Sequence, residues 1–122
     1  MNPQQLADLV TTALADIKAF DIQVLDVHEM TSITDFMVIA SGRSNRQIKA
    51  MAGKVVEAAR AAGIKPLGIE GEGQAEWVLV DLGDVVVHAM QPATRDFYQL
   101  EKLWRQVEES CKHLLETRSA VP

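Results

Sequence analysis

Apolar positions along this chain recur in two periods, and the switches between them divide it into helices and strands. Asn2-Pro3 reads as an N-cap followed by proline at the first helical position, where a missing N–H costs nothing. Leu6, Leu9, Val10, Ala13, Leu14 and Ile17 then fall at helical spacing. From Asp21 to Val27 the pattern alternates, with Ile22, Val24, Leu25 and Val27 among polar residues, which predicts a strand. Phe36-Met37-Val38-Ile39-Ala40 is almost continuously apolar, as a strand covered on both faces should be, and is expected in the middle of the sheet.

Ser41-Gly42-Arg43-Ser44 interrupts the pattern, and Ser44 with Gln47 predicts a capping box for a second helix. Ile48, Met51, Ala52, Val55, Val56, Ala59 and Ala62 form its stripe, and Gly63 supplies a left-handed stop. Pro66 to Gly71 reads as a short strand ending in a glycine-rich turn. Trp77 to Asp81 and Val85 to Met90, around Leu82-Gly83, read as a hairpin. Pro92 opens a last helical segment with Leu100, Leu103, Trp104, Val107, Cys111 and Leu114 as its stripe. This order predicts a single α/β (α+β) domain over residues 1–116, a mixed five-stranded sheet flanked by helices, with 117–122 as a flexible C-terminal tail.

The hairpin register has two readings. A two-residue Leu82-Gly83 loop pairs Trp77 with His88 and Leu79 with Val86, so that Trp77, Leu79, Val86, His88 and Met90 share one face. The other face is then Val78, Val80, Val85, Val87 and Ala89, a smooth surface suited to covering helices. A bulge at Gly83 slips the second strand by one and exchanges its faces.

Composition narrows the class. A chain of 122 residues, 48% apolar, supports one core without staples. Its one cysteine, Cys111, excludes an intramolecular disulfide and a cysteine zinc cage. The first residues carry neither a basic stretch nor an apolar run of signal length, so a cytoplasmic protein is expected. A formal charge of −5 argues against a chain that wraps nucleic acid, and leaves room for docking on a basic protein.

No catalytic constellation can be placed. Gly42-Arg43-Ser44 lies at a strand-to-helix junction but lacks both the dinucleotide and the P-loop fingerprints, and the capping box already explains Ser44 and Gln47. Asp81 and Asp84 are three residues apart around Gly83, which suits turn formers better than two metal-holding carboxylates on one strand face. His28 and His88 have no carboxylate spaced to orient them, Ser41 has no base, and His113 is expected to be solvated. The expectation is therefore a non-enzyme without cofactor or metal. A nucleotide-using transferase built on the Gly42 turn is the rival. The hairpin is the better candidate: Trp77 beside a histidine and acidic turns suits either an interface anchor with a polar rim or a tryptophan buried under a loop.

Four segments resemble the ribosomal silencing factor family, RsfS or Iojap-like: Asp35 through Gln47, Glu70-Gly71, Trp77 through His88, and Arg95 through Trp104. The resemblance implies a nucleotidyltransferase-like fold without the catalytic carboxylates. It also implies binding to large-subunit ribosomal protein fourteen (uL14), where the protein would block small-subunit joining and damp translation when nutrients are scarce. The contact residues it implies are Trp77 first, then Glu70, Asp81, Asp84, His88, Met90 and Tyr98. A large-subunit assembly role uses the same contact, and a homodimer is compatible with the extension of the last helix through Leu114 and Leu115.

Overall fold

The computed structural model describes residues 1–100 and 102, with Phe97 and Tyr98 as backbone alone. Eight elements follow in the order α1 (Pro3–Asp16), β1 (Phe20–Asp26), β2 (Phe36–Ser41), α2 (Asn45–Ala61), β3 (Gly68–Glu70), β4 (Trp77–Asp81), β5 (Val85–Met90) and α3 (Pro92–Tyr98). The part of the last helix expected from Leu103 onward, with Trp104, Cys111 and His113, and the tail boundary at 117 lie outside the described residues.

Helix boundaries follow their caps. Asn2 Oδ1 accepts from Gln5 N–H at 2.8 Å and Gln5 Oε1 accepts from Asn2 N–H at 3.0 Å, a complete capping box ahead of Pro3. On α2 half of the expected box forms. Ser44 Oγ accepts from Gln47 N–H at 3.1 Å, but the Gln47 side chain takes Arg43 N–H instead and donates to Lys18 O at 3.1 Å. That glutamine is thereby a tie between α2 and the end of α1. Gly63 stops α2 with φ +81°, the left-handed position the sequence called for.

The sheet is mixed, in the order β1-β2-β5-β4-β3. Only the β2–β5 pair is parallel. The middle strand is therefore β5, not β2 as its apolar run suggested. Both are interior strands, and an apolar run alone does not separate them. The crossover from β2 through α2, β3 and β4 brings the last strand back beside the second.

Hairpin pairing shifts from the sequence reading. Gly83-Asp84, rather than Leu82-Gly83, is the turn: Leu82 N–H bonds Val85 O, and Trp77 pairs with Met90, Leu79 with His88 and Asp81 with Val86. Glycine with positive φ at the first central position suits a tight hairpin turn. A shift of two residues leaves every side chain on its expected face. Val78, Val80, Val85, Val87 and Ala89 are all buried in the core with Leu6, Val10 and Leu14 of α1 and Ile48, Met51 and Val55 of α2. On the opposite face Val27, Met37, Ile39 and Met90 form a smaller cluster, against which Leu25, Met30, Trp77 and Leu100 pack.

Candidate functional site

The face of the sheet turned away from α1 and α2 gathers most of the residues singled out in the sequence. Strand periodicity puts Trp77, Leu79 and Asp81 on it, and register adds Glu70 opposite Leu79. Trp77 is half-buried and Glu70 exposed. One groove, of about 250 Å³, is lined by Glu70, Gly71, Trp77 and Leu79. A second, of about 450 Å³, is lined by Gly71, Gly73, Gln74, Glu76, Trp77 and Thr94. Trp77 and Gly71 thus line both concavities, with exposed Glu70 in the wall of one and exposed Glu76 in the wall of the other.

Local backbone chemistry sets this up. Gly71 has φ +90°, and a Cβ on it would come within 2.1 Å of the Trp77 carbonyl oxygen, so only glycine fits. Gly71 O accepts from Ala75 N–H at 3.0 Å, and Glu76 O accepts from Gln91 N–H at 3.0 Å, which close the loop leading into Trp77. At the other end of β4, Asp81 Oδ1 accepts from Gly83 N–H at 2.9 Å. Asp81 therefore shapes the turn, as read from the sequence, and is half-buried, while Asp84 is exposed at the turn itself.

Two of the proposed contact residues lie inside. His88 is 5% exposed and Met90 fully buried, because β5 is the middle strand and its side chains are covered on both faces. His88 Nδ1 accepts from Trp77 Nε1–H at 2.9 Å. Burial pushes the imidazole down to about 4, so it is neutral at neutral pH. The side chain of Tyr98 lies outside what is described.

Three of the donors around the Gly42 turn are taken by the protein itself. Gly42 N–H bonds Met90 O, Arg43 N–H bonds the Gln47 side chain, and Gln47 N–H bonds Ser44 Oγ. Each is a donor for which a phosphate at this junction would have to compete. Ser41 Oγ accepts from buried Arg95 Nη1 at 2.9 Å, and the same nitrogen donates to Asp21 O at 2.6 Å. Among the described residues no group of three or more His, Cys, Asp or Glu is placed to hold a metal ion, and no helix is long and apolar enough to cross a membrane.

Sequence reasoning passed over Leu79, Glu76 and Thr94 as groove-lining residues and Arg95 as the buried tie of α3. Leu79 was legible as the residue between Trp77 and Asp81 on one strand face. Thr94 and Arg95 were not, since their placement depends on how α3 folds back after Pro92.

Comparison with known proteins gives one family. The family described as "Ribosomal silencing factor during starvation" matches residues 1–121. A ribosomal silencing factor RsfS of Chromobacterium violaceum is 49% identical over 104 residues, 85% of each chain. A crystal structure of a protein from the same organism superposes with TM-score 0.84 at 49% identity, covering 85% of this chain and 87% of that one. The mouse protein named mitochondrial assembly of ribosomal large subunit protein 1 is 37% identical over 100 residues, 80% of this chain and 44% of its own length.

Proposed function

Since the chain belongs to the ribosomal silencing factor family, we propose that it docks on the large ribosomal subunit through uL14 and keeps the small subunit from joining, repressing translation when nutrients are scarce. The observation that carries the reading is half-buried Trp77 lining two grooves, with the carboxylates of Glu70 and Glu76 in their walls. A large half-buried aromatic bordering concave surface suits the anchor of a protein interface, and the neighbouring acids suit a basic partner surface. Contacts are assigned to Trp77, Glu70, Asp81 and Asp84, and to Tyr98 on α3. His88 and Met90 act from beneath. The protein works by occupying space, and no bond is made or broken.

Sedimentation of purified subunits tests this directly. A molar excess of the protein should leave large and small subunits apart under conditions where they otherwise join. Joining that proceeds unchanged would remove the blocking role. A second reading, help in assembling the large subunit, is favoured by the name of the mouse relative. It predicts immature large subunits in cells lacking the protein during growth as well as starvation.

A further inference from the structure

Charge is segregated along this chain. Residues 42–69 hold six Lys and Arg and a single acid, Glu57, although the chain as a whole carries −5. Much of that positive charge lies along α2. Its buried stripe is Ile48, Met51, Ala52, Val55 and Ala59. Its exposed positions include Arg46, Lys49, Ala50, Gly53, Glu57 and Arg60, which the helical period gathers on one outward face. Arg43 extends the line ahead of the helix, its guanidinium 5.5 Å from the centre of the Phe20 ring. Among the described residues, none of Arg43, Arg46, Lys49 and Arg60 lies within ion-pair distance of a carboxylate.

Helix electrostatics account for Arg60, a cation in the last turn of α2, but not for the start of the helix. The first turn of α2 contains Arg46 and no acid, against the preference of the helix dipole for negative charge there. A local rule broken without local compensation marks a surface kept for another purpose. We propose that the outward face of α2, through Arg43, Arg46, Lys49 and Arg60, is a second contact surface that receives the phosphate backbone of ribosomal RNA. This rests on the ribosome association of the family and not on the Trp77 face, since α2 covers the opposite side of the sheet.

Charge complementarity chooses the partner. From Arg46 to Arg60 the helix rises about 21 Å, long enough to follow several phosphates. Three guanidinium forks can each take a phosphate through paired hydrogen bonds, with Lys49 as a point charge among them. Ala50 and Gly53 keep the middle of the face low, and an added side chain at Gly53 meets nothing within 4 Å. Because the whole chain is acidic, RNA repels it at long range. The ridge therefore acts at short range, after docking elsewhere has brought the subunit close.

The experiment uses the full chain and purified large subunits. A photoreactive residue placed at position 50 should cross-link to RNA. Cross-links to ribosomal protein alone, or none from a chain that co-sediments, would overturn the assignment. The triple variant Arg46→Gln, Lys49→Gln, Arg60→Gln should bind large subunits about tenfold more weakly, with a salt slope shallower by about two. Gly53→Glu offers a variant that folds at least as well, because glutamate is the better helix former. It should melt higher than the wild type and yet bind more weakly, whereas Gly53→Ala should melt higher and bind normally. Unchanged affinity in both charge variants would sink the proposal. Retained subunit binding in the triple variant, with loss of wild-type binding to phosphatidylglycerol vesicles, would reassign the ridge to a membrane surface and overturn it equally. If the wild type fails to co-sediment with large subunits, ribosome docking itself falls. Co-sedimentation without an RNA cross-link removes the ridge alone.

Discussion

Trp77 and His88 are diagonal neighbours on adjacent strands, joined by a 2.9 Å hydrogen bond from the indole Nε1–H to the imidazole Nδ1, with ring centroids 5.8 Å apart. An indole nitrogen can only donate, so Nδ1 must be unprotonated and the neutral ring carries its proton on Nε2. That Nε2 is buried and, among the described residues, has no hydrogen-bond partner. The interior imidazole thus holds the half-buried indole by its nitrogen, and in the proposed contact this would lower the ordering cost of binding.

His88→Phe keeps a ring of similar size and removes the acceptor. The expected loss is about 1 kcal/mol of stability, the net worth of a typical hydrogen bond, read by urea unfolding. Affinity for purified uL14 should fall several-fold by calorimetry, as the indole gains freedom. His88→Gln, which offers an amide oxygen, should recover part of it. Full affinity in a folded His88→Phe protein would show that the indole orients without its partner.

Trp77→Ala should weaken uL14 binding by about 2 kcal/mol or more, the magnitude of a hot-spot tryptophan. Asp84→Asn, at the exposed turn, should cost less than about 1 kcal/mol and mainly slow association at low salt. Equal effects from the two variants would place the anchor elsewhere on the face.

Gly71→Ala should be damaging well beyond its size. The residue sits at φ +90°, and the new methyl would lie 2.1 Å from the Trp77 carbonyl oxygen, so the loop into β4 must move. A loss of about 1–3 kcal/mol is expected from backbone strain, with a shift in tryptophan fluorescence. Gly73→Ala, where an added Cβ meets nothing within 4 Å, is the control and should be close to neutral.

Elements with their own local signals were legible in the sequence, and those set by long-range return of the chain were not. Asn2, Ser44 and Gly63 carry capping chemistry within a few residues, so the helix ends read correctly. Of the two readings of the hairpin faces, the structure bears out the one without a bulge, because alternation survives a two-residue shift. The turn was misplaced because Leu82-Gly83 and Gly83-Asp84 both contain the required glycine. Exchange of β2 for β5 as the middle strand has the same origin, since two apolar runs look alike until their pairing is known. In the candidate site, Trp77 was readable from the residues as a possible anchor and Asp81 as a turn former, whereas the contact role of Glu70 and Asp81 came only from the family resemblance. Burial of His88 and Met90 was not, since it follows from β5 lying at the centre.

Acid should expose the strain at His88. Its folded-state affinity for a proton is lowered from the ordinary 6.5 to about 4 by burial, whereas the unfolded chain binds that proton once the pH drops below 6.5. Between these limits the unfolded state holds more protons, so stability declines as pH falls through the window and levels off below about 4. The full difference is on the order of 3 kcal/mol. His28, for which the sequence offered no orienting carboxylate, in fact pairs with Asp26 two residues before it and works in the opposite sense. The hydrogen bond raises its proton affinity, so whatever the pair contributes is present below 6.5 and lost as pH rises through the raised value. That pair is exposed and should fade with added salt, while the His88 effect should not. Urea unfolding of the wild type and His88→Gln from pH 8 to pH 4 separates them. The variant should lose less stability than the wild type between pH 6.5 and 4, at low and high salt alike. Parallel curves would mean that the interior of this sheet face tolerates a charged imidazole, and the orientation argument for Trp77 would then lose its neutral acceptor.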